Sequence, residues 1–229
     1  SGAQLDIFEV VGLTDGMSLF GTDLLVDPSD AAFQSLAEGE TLEIEISSDI
    51  FAEYEASVSQ SATITITGTN DTPTVEAELF TEAVEDGEPV SIDLLDGASD
   101  VDNDAVLSIT NLSALPAGVS LDGTVLSLDP SDAAFQSLAA GEVLEIEISY
   151  DVTDEFEASV AQFATFTITG TNDDPTVEAA LAANATEGGE PVSLDLLDGA
   201  SDVDNGTEFS LSLPEGFPPG VSIDGTILT

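Results

Sequence analysis

The chain has 229 residues, 47 of them Asp or Glu, and contains no Lys, Arg, His or Cys, for a formal net charge of −47. These absences exclude phosphate clamps and counterion-releasing contacts with nucleic acid, His- and Cys-based zinc sites, Ser-His-Asp and Cys-His catalysis, internal salt bridges and disulfides. The apolar fraction of 42% separates the chain from a disordered acidic tail; its self-repulsion weakens as salt shortens the screening length to about 10 Å at 0.1 M.

In chain order, the first strong pattern is Asp27-Pro-Ser-Asp-Ala-Ala-Phe-Gln-Ser-Leu-Ala37, which returns unchanged at Asp129 to Ala139. In the second copy Asp129 is an N-cap, Pro130 takes the first helical position, and Phe135 and Leu138 lie three apart. This predicts a short helical crossover between two sheets. Thr63, Thr65, Thr67 and Thr69 form a ladder that suggests either an ice-binding surface or, since Thr favours strands, an ordinary outward strand face. Asn70-Asp71-Thr72-Pro73 interrupts the pattern as a stiff linker, because Pro lacks a ladder donor and biases its predecessor to extended geometry.

Short strands follow at Thr74–Ala77, Val90–Leu94, Val106–Thr110 and Thr124–Leu128, separated by Gly-, Pro- and Asn-rich turns. Leu144–Ser149 and Thr165–Thr169 alternate apolar and polar residues, the period of a half-buried strand, which leaves Glu145 and Glu147 on a solvated face. A second linker, Asn172-Asp173-Asp174-Pro175, closes this stretch. Beyond it Gly189-Glu-Pro-Val-Ser, Leu196 to Asn205 and Asp224-Gly-Thr repeat Gly87, Leu94 to Asn103 and Asp122-Gly-Thr, each at an offset of 102.

A period of that length is a whole domain and far exceeds a solenoid unit. About seven strands per period give an all-β chain of tandem Greek-key β-sandwiches of immunoglobulin type. Cut at the linkers, residues 73–174 form a complete repeat, 1–72 lack the first strands of theirs, and 175–229 lack the last. The two incomplete ends are complementary, so head-to-tail self-association by strand complementation is one expectation. No apolar run approaches 18 residues and no signal peptide is evident, so no membrane insertion is expected, and the chain reads as an interior portion of something longer.

Most acids are expected to coat the surface. The exception is Asp100-Val-Asp102-Asn103-Asp104, recurring as Asp202-Val-Asp204-Asn205, where alternate carboxylates on a turn aim oxygens at one point. Hard cations such as Ca²⁺ need six to eight oxygens of this kind. Asn70-Asp71 lies 29 and 31 residues before Asp100 and Asp102, and the second copy keeps the spacing. The run lacks the Gly and distal Glu of an EF-hand loop, and a purely solvated acidic coat stays open as the other reading. Asn111, Asn184 and Asn205 head N-x-S/T sequons without further support.

Ile66-Thr-Gly-Thr-Asn-Asp-Thr-Pro73, with Leu138-Ala-Ala-Gly-Glu142 ahead of a β-rich segment, resembles the VCBS repeat of large bacterial surface proteins, often RTX-type adhesins. The order of elements also resembles cadherin repeats. Glu85 before Pro89-Val90 resembles the early cadherin Glu, Asp100 and Asp102 its D-x-D, Glu142 its L-D-x-E glutamate, Asp151 the Asp closing a later strand, and Asn172-Asp173 its linker. The resemblance implies calcium between successive cadherin-like repeats. Its ligands would be Glu40, Asn70, Asp71, Asp100, Asp102 and Asp151 at the first linker, and Glu85, Glu142, Asn172, Asp173, Asp202 and Asp204 at the second. The linker is one residue shorter than the cadherin one and the L-D-x-E acid pair is reduced to one Glu, which implies one or two ions rather than three.

Three functions follow as expectations: an extracellular, calcium-stiffened spacer or adhesion module at a bacterial cell surface; a self-assembling filament or surface-layer protein; and an enzyme or carbohydrate binder working through paired carboxylates. The third is disfavoured, because the acids recur in every repeat and the only sugar-stacking aromatics of the Trp or Tyr type are Tyr54 and Tyr150.

Overall fold

A computed structural model describes residues 6–51, 56–213 and 216–229; Tyr54 lies outside them. Residues 1–72 contribute β1 (Asp6–Val11), β2 (Met17–Phe20), β3 (Asp23–Val26), a 3₁₀ turn at Ala31–Phe33, β4 (Thr41–Phe51) and β5 (Ser57–Thr67). Residues 73–174 contribute β6 (Thr74–Val75), β7 (Leu79–Val84), β8 (Val90–Asp93), β9 (Ala98–Ser99), β10 (Ser108–Thr110), β11 (Val119–Asp122), β12 (Val125–Leu128), β13 (Val143–Thr153) and β14 (Ser159–Thr169). Residues 175–229 contribute β15 (Thr176–Val177), β16 (Leu194–Asp195), β17 (Ala200–Ser201), β18 (Ile223–Asp224) and β19 (Ile227–Leu228).

The sheets are ordered β1-β4-β5 and β2-β3 in the first repeat, β10-β13-β14-β7, β11-β12-β8 and β6-β9 in the second, and β15-β17 and β16-β19-β18 in the third. The 102-residue period survives in the pairing itself. Leu19 faces Leu24, Leu121 faces Leu126 and Ile223 faces Leu228; Thr74 faces Ser99 as Thr176 faces Ser201. One pairing was not foreseen: β7 runs parallel to β14, from Leu79 opposite Ala164 to Val84 opposite Thr169. The chain is thus an all-β series of immunoglobulin-like sandwiches. Among the described residues no helix is long and apolar enough to cross a membrane.

Strand alternation sorts the side chains as expected. In β4, Ile44 and Ile46 are buried and Glu43 and Glu45 exposed; in β13, Ile148, Tyr150 and Val152 are buried and Glu145 and Glu147 exposed. Thr63, Thr65 and Thr67 lie on an exposed strand face.

The predicted helical crossover is corrected. The chain makes successive i to i+3 bonds, from Phe33 N to Asp30 O and Leu36 N to Phe33 O, and again from Phe135 N to Asp132 O and Leu138 N to Phe135 O. Asp132, not the expected Asp129, receives Ala134 N, just as Asp30 caps the 3₁₀ turn through Ala32 N in the first copy. Asp27 and Asp129 instead fold back on Ser29 and Ser131, accepting both backbone N–H and hydroxyl, and those bonds hold their carboxyls below the usual range. A carboxylate closing its own two-residue turn competes with helix formation.

By compactness the chain divides into two units that do not follow the repeats. One is 1–78 with 94–113 and 149–163; the other is 79–93 with 114–148 and 164–229. The first is cored by Phe33, Leu36, Ile44, Ile46 and Ile66, with Leu94, Tyr150 and Val152 also buried; the Tyr150 hydroxyl donates to the Leu94 carbonyl at 2.8 Å. The second buries Ile92, Leu126, Leu128, Phe135, Leu138, Ile148, Ala164, Phe166 and Ile168. Each fully buried side chain of this size contributes about 1.5–3 kcal/mol. Each unit also contains one linker with the residues that receive it.

Candidate metal centres at the linkers

The glycine of the repeated Ile-Thr-Gly-Thr-Asn-Asp run brings each linker against a turn of its own repeat. A Cβ on Gly68 would overlap the carbonyl oxygens of Leu36 and Ala37, and one on Gly170 those of Leu138 and Ala139. The close approach allows Gly68 N to donate to Glu40 O and Gly170 N to Glu142 O, both at 2.8 Å. Each linker therefore departs from a fixed point beside a Glu.

At the first linker, Asp71 N donates to Asp102 Oδ2 at 2.9 Å and Asp102 N to Asp100 Oδ1 at 2.9 Å. The Asn70 amide donates to Asp71 O at 2.8 Å and to Asp154 Oδ2 at 2.9 Å. Asn103 donates twice to the preceding repeat: its backbone N to Ser35 O at 2.9 Å, its amide to Glu40 Oε2 at 2.9 Å. Asp102 and Asp154 are buried, and Pro73 is fully so.

At the second linker, Asp173 N donates to Asp204 Oδ2 at 3.1 Å and Asp204 N to Asp202 Oδ1 at 2.9 Å. Thr171 N donates to Glu85 Oε2 at 2.8 Å, and Glu85 is 2% exposed. Asn205 repeats the pattern of Asn103, with its backbone N on Ser137 O at 2.9 Å and its amide 3.2 Å from Glu142 Oε2. Asn172 is exposed and its amide donates to Asp173 O.

Five buried carboxylate oxygens have no hydrogen-bond partner among the described residues: Asp100 Oδ2 and Asp102 Oδ1 at the first linker, Glu85 Oε1, Asp173 Oδ2 and Asp204 Oδ1 at the second. Burial raises the pKa of Glu85, Asp102 and Asp173 above the ordinary carboxylate range. Neighbouring carboxylates add to it: Asp173, Asp86 and Asp204 around Glu85; Asp100, Asp71 and Asp154 around Asp102; Asp204, Asp86, Asp202 and Asp174 around Asp173. The N–H bonds from Thr171 to Glu85 and from Asp71 to Asp102 oppose the shift without cancelling it. Among the described residues no three acidic side chains already stand as a metal-holding group.

The structure thus brings Asn70, Asp71, Asp100 and Asp102 together at one linker, and Glu85, Asn172, Asp173, Asp202 and Asp204 at the other. Glu40 and Glu142 adjoin them through Asn103 and Asn205. The Oδ2 of Asp151 accepts from the Asn111 amide at 2.7 Å. The residue that joins the linker is Asp154, whose Oδ1 also accepts from Phe156 N at 2.8 Å and Ala158 N at 2.9 Å. Repetition gave no hint, since Asp49 precedes Asp151 by 102 residues whereas Ala52 precedes Asp154. The usable signal was local: an Asp opening a turn just past a strand, able to cap the N–H groups that follow.

The bacterial Ig domain family matches residues 70–169. No curated protein matches the chain. Similar solved structures include the Protocadherin Gamma B7 extracellular cadherin domains 1-4, at 17% identity and a TM-score of 0.47, covering 100% of this chain and 57% of that one. Human mucin-like protocadherin EC1-2 is 15% identical with a TM-score of 0.47, over 74% of this chain and 85% of that one. Drosophila N-cadherin EC1-4 is 12% identical with a TM-score of 0.42, over 76% and 43%. The chain spans little more than half the length of the first of these structures. Its middle repeat is an immunoglobulin-like sandwich similar to bacterial Ig domains.

Proposed function

We propose that the chain is a spacer or adhesion module of a large bacterial surface protein, built from sandwich repeats divided at 72/73 and 174/175, whose linkers bind Ca²⁺ outside the cell. The observation that carries this reading is the placement of the five unpartnered buried carboxylate oxygens, all at the two linkers. A buried carboxylate oxygen without a donor is costly, and the chain has no Lys, Arg or His to supply one. The similarity of residues 70–169 to bacterial Ig domains supports the bacterial, extracellular setting.

A bound Ca²⁺ supplies divalent counter-charge and takes oxygens from carboxylates, amides and carbonyls. The residues suited to hold it are Asn70, Asp71, Asp100, Asp102 and Asp154 at the first linker, and Glu85, Asn172, Asp173, Asp202 and Asp204 at the second. Asp102 and Asp204 span their linkers: each accepts the N–H of the linker Asp through Oδ2 and leaves Oδ1 free. Extracellular modules of this kind bind Ca²⁺ at roughly 10⁻⁴–10⁻³ M. At calcium 100-fold above Kd one site adds about 2.7 kcal/mol, enough to choose between a loose and a stiff linker.

Calorimetric titration of the chain and of the Asp100→Asn, Asp102→Asn variant tests this, alongside small-angle scattering with and without chelator. Expected are calcium binding that the variant loses at one linker and a maximum dimension that changes on chelation. Equal binding by both chains, with an unchanged maximum dimension, would leave only an acidic coat.

A further inference from the structure

We infer that Glu40 and Glu142 are positioning residues rather than ligands: each forms, with the Asn that directly follows the second Asp of the D-x-D, namely Asn103 and Asn205, a cation-independent clasp that sets the register across its linker. This assignment rests on the calcium reading for the ligands it is contrasted with, while the clasp itself stands on hydrogen bonds alone.

The clasp occurs twice with the same wiring. Asn103 donates its backbone N–H to Ser35 O and its amide to Glu40 Oε2, both at 2.9 Å; Asn205 donates its backbone N–H to Ser137 O at 2.9 Å and its amide to Glu142 Oε2 at 3.2 Å. Each Glu is itself held from its own repeat, because Ala37 N donates to Glu40 Oε2 and Ala139 N to Glu142 Oε2, both at 3.1 Å. The carboxylate therefore ties a turn of one repeat to the residue following the D-x-D of the next, through Oε2 in Glu40 and through Oε2 with a longer 3.4 Å contact to Oε1 in Glu142. Gly68 and Gly170 let that turn sit close enough for the bond.

The contrast with the unpartnered oxygens is direct. Glu40 and Glu142 are exposed, and none of their oxygens is both buried and unpartnered. The clasping Oε2 of each Glu already accepts two N–H donors, whereas Asp102 Oδ1 and Asp204 Oδ1 accept none. Asn suits the clasp because a neutral amide donates to a carboxylate without adding charge to an already acidic linker.

The test uses the full chain, calorimetry for calcium and amide hydrogen exchange at Asn103 and Asn205 in chelator. In the parent chain both amides are expected to be protected without calcium. In Glu40→Ala, Glu142→Ala that protection falls about tenfold or more, while calcium stoichiometry holds. Glu40→Gln, Glu142→Gln keeps an acceptor oxygen and is expected to restore protection, again at parent stoichiometry. Asp102→Asn, Asp204→Asn is expected to lose calcium and keep protection. Loss of calcium sites in the Gln variant to the extent seen for Asp102→Asn, Asp204→Asn makes the two Glu ligands and overturns the inference, as do unprotected Asn amides in the chelated parent. A chain that takes up no calcium but keeps both amides protected overturns the function proposed above and leaves the clasp standing.

Discussion

The two linkers share one backbone design and differ in what closes them. In both, a linker Asp N–H binds the second Asp of a D-x-D turn, and an Asn clasps a Glu of the preceding repeat. The first is closed by Asp154, which grips Asn70 and leaves Asn70 half-buried. The second is closed by Glu85, which grips Thr171 N, and its Asn172 stays exposed. The comparison teaches that the half of each site that recurs is carried by local motifs, whereas the closing residue comes from a position remote in sequence.

The largest expected effect is Asp154→Ala. It strips the acceptor from Phe156 N, Ala158 N and the Asn70 amide, and is expected to lower stability in chelator by about 1–3 kcal/mol, read by denaturant titration. Amide protection at Asp173 and Asn205 should not change; if it falls equally, the two linkers are not independent. Glu85→Gln acts on the second linker with the opposite sign. It keeps an acceptor for Thr171 and removes a desolvated charge, so stability in chelator is not lowered. Calcium affinity at that linker is expected to fall about tenfold, roughly 1.4 kcal/mol, by calorimetry.

A smaller effect separates the linkers at the residue after the clasping Asn. Asp104 has φ 56° and its counterpart Gly206 φ 72°. A left-handed backbone costs a side-chain-bearing residue about 1–2 kcal/mol, less for Asp, so Asp104→Gly is expected to raise the melting temperature slightly and Gly206→Asp to lower it.

The smallest effect is on pH. Glu85, Asp102 and Asp173 have folded pKa values above their unfolded ones. Their contribution to stability is therefore fullest below the unfolded carboxylate range and is lost as pH rises through the folded values. In chelator the chain should gain stability as pH falls from neutral through the raised folded values. Asp27 and Asp129, with lowered values, act oppositely: their contribution is present above the unfolded range and lost as pH falls through the folded values. Saturating calcium should flatten the acid-side gain, and a melting profile that rises just as steeply with calcium present would separate the shifted acids from the metal.

Much of this was legible before any coordinates. Alternation placed β13 and β14, and the 102-residue offset reappears in hairpins that pair in the same register. Asp100, Asp102 and the Asn-Asp linkers stood out because they recur at constant spacing, and they do meet. The parallel strand Leu79–Val84 did not stand out, because its partner lies more than eighty residues away and parallel pairing has no hairpin turn to announce it. The Asp-Pro start does not give the helical crossover it suggests, because Ser29 and Ser131 compete for its carboxylate.

Periodicity is written along the chain, so composition and spacing were enough for the all-β class, the repeat, the acidic coat and the local half of each linker. Closure of a linker depends on which strand end arrives beside it. That is settled only in the folded chain, where Asp151 on β13 pairs with Asn111 while Asp154, just past the strand's end, holds Asn70.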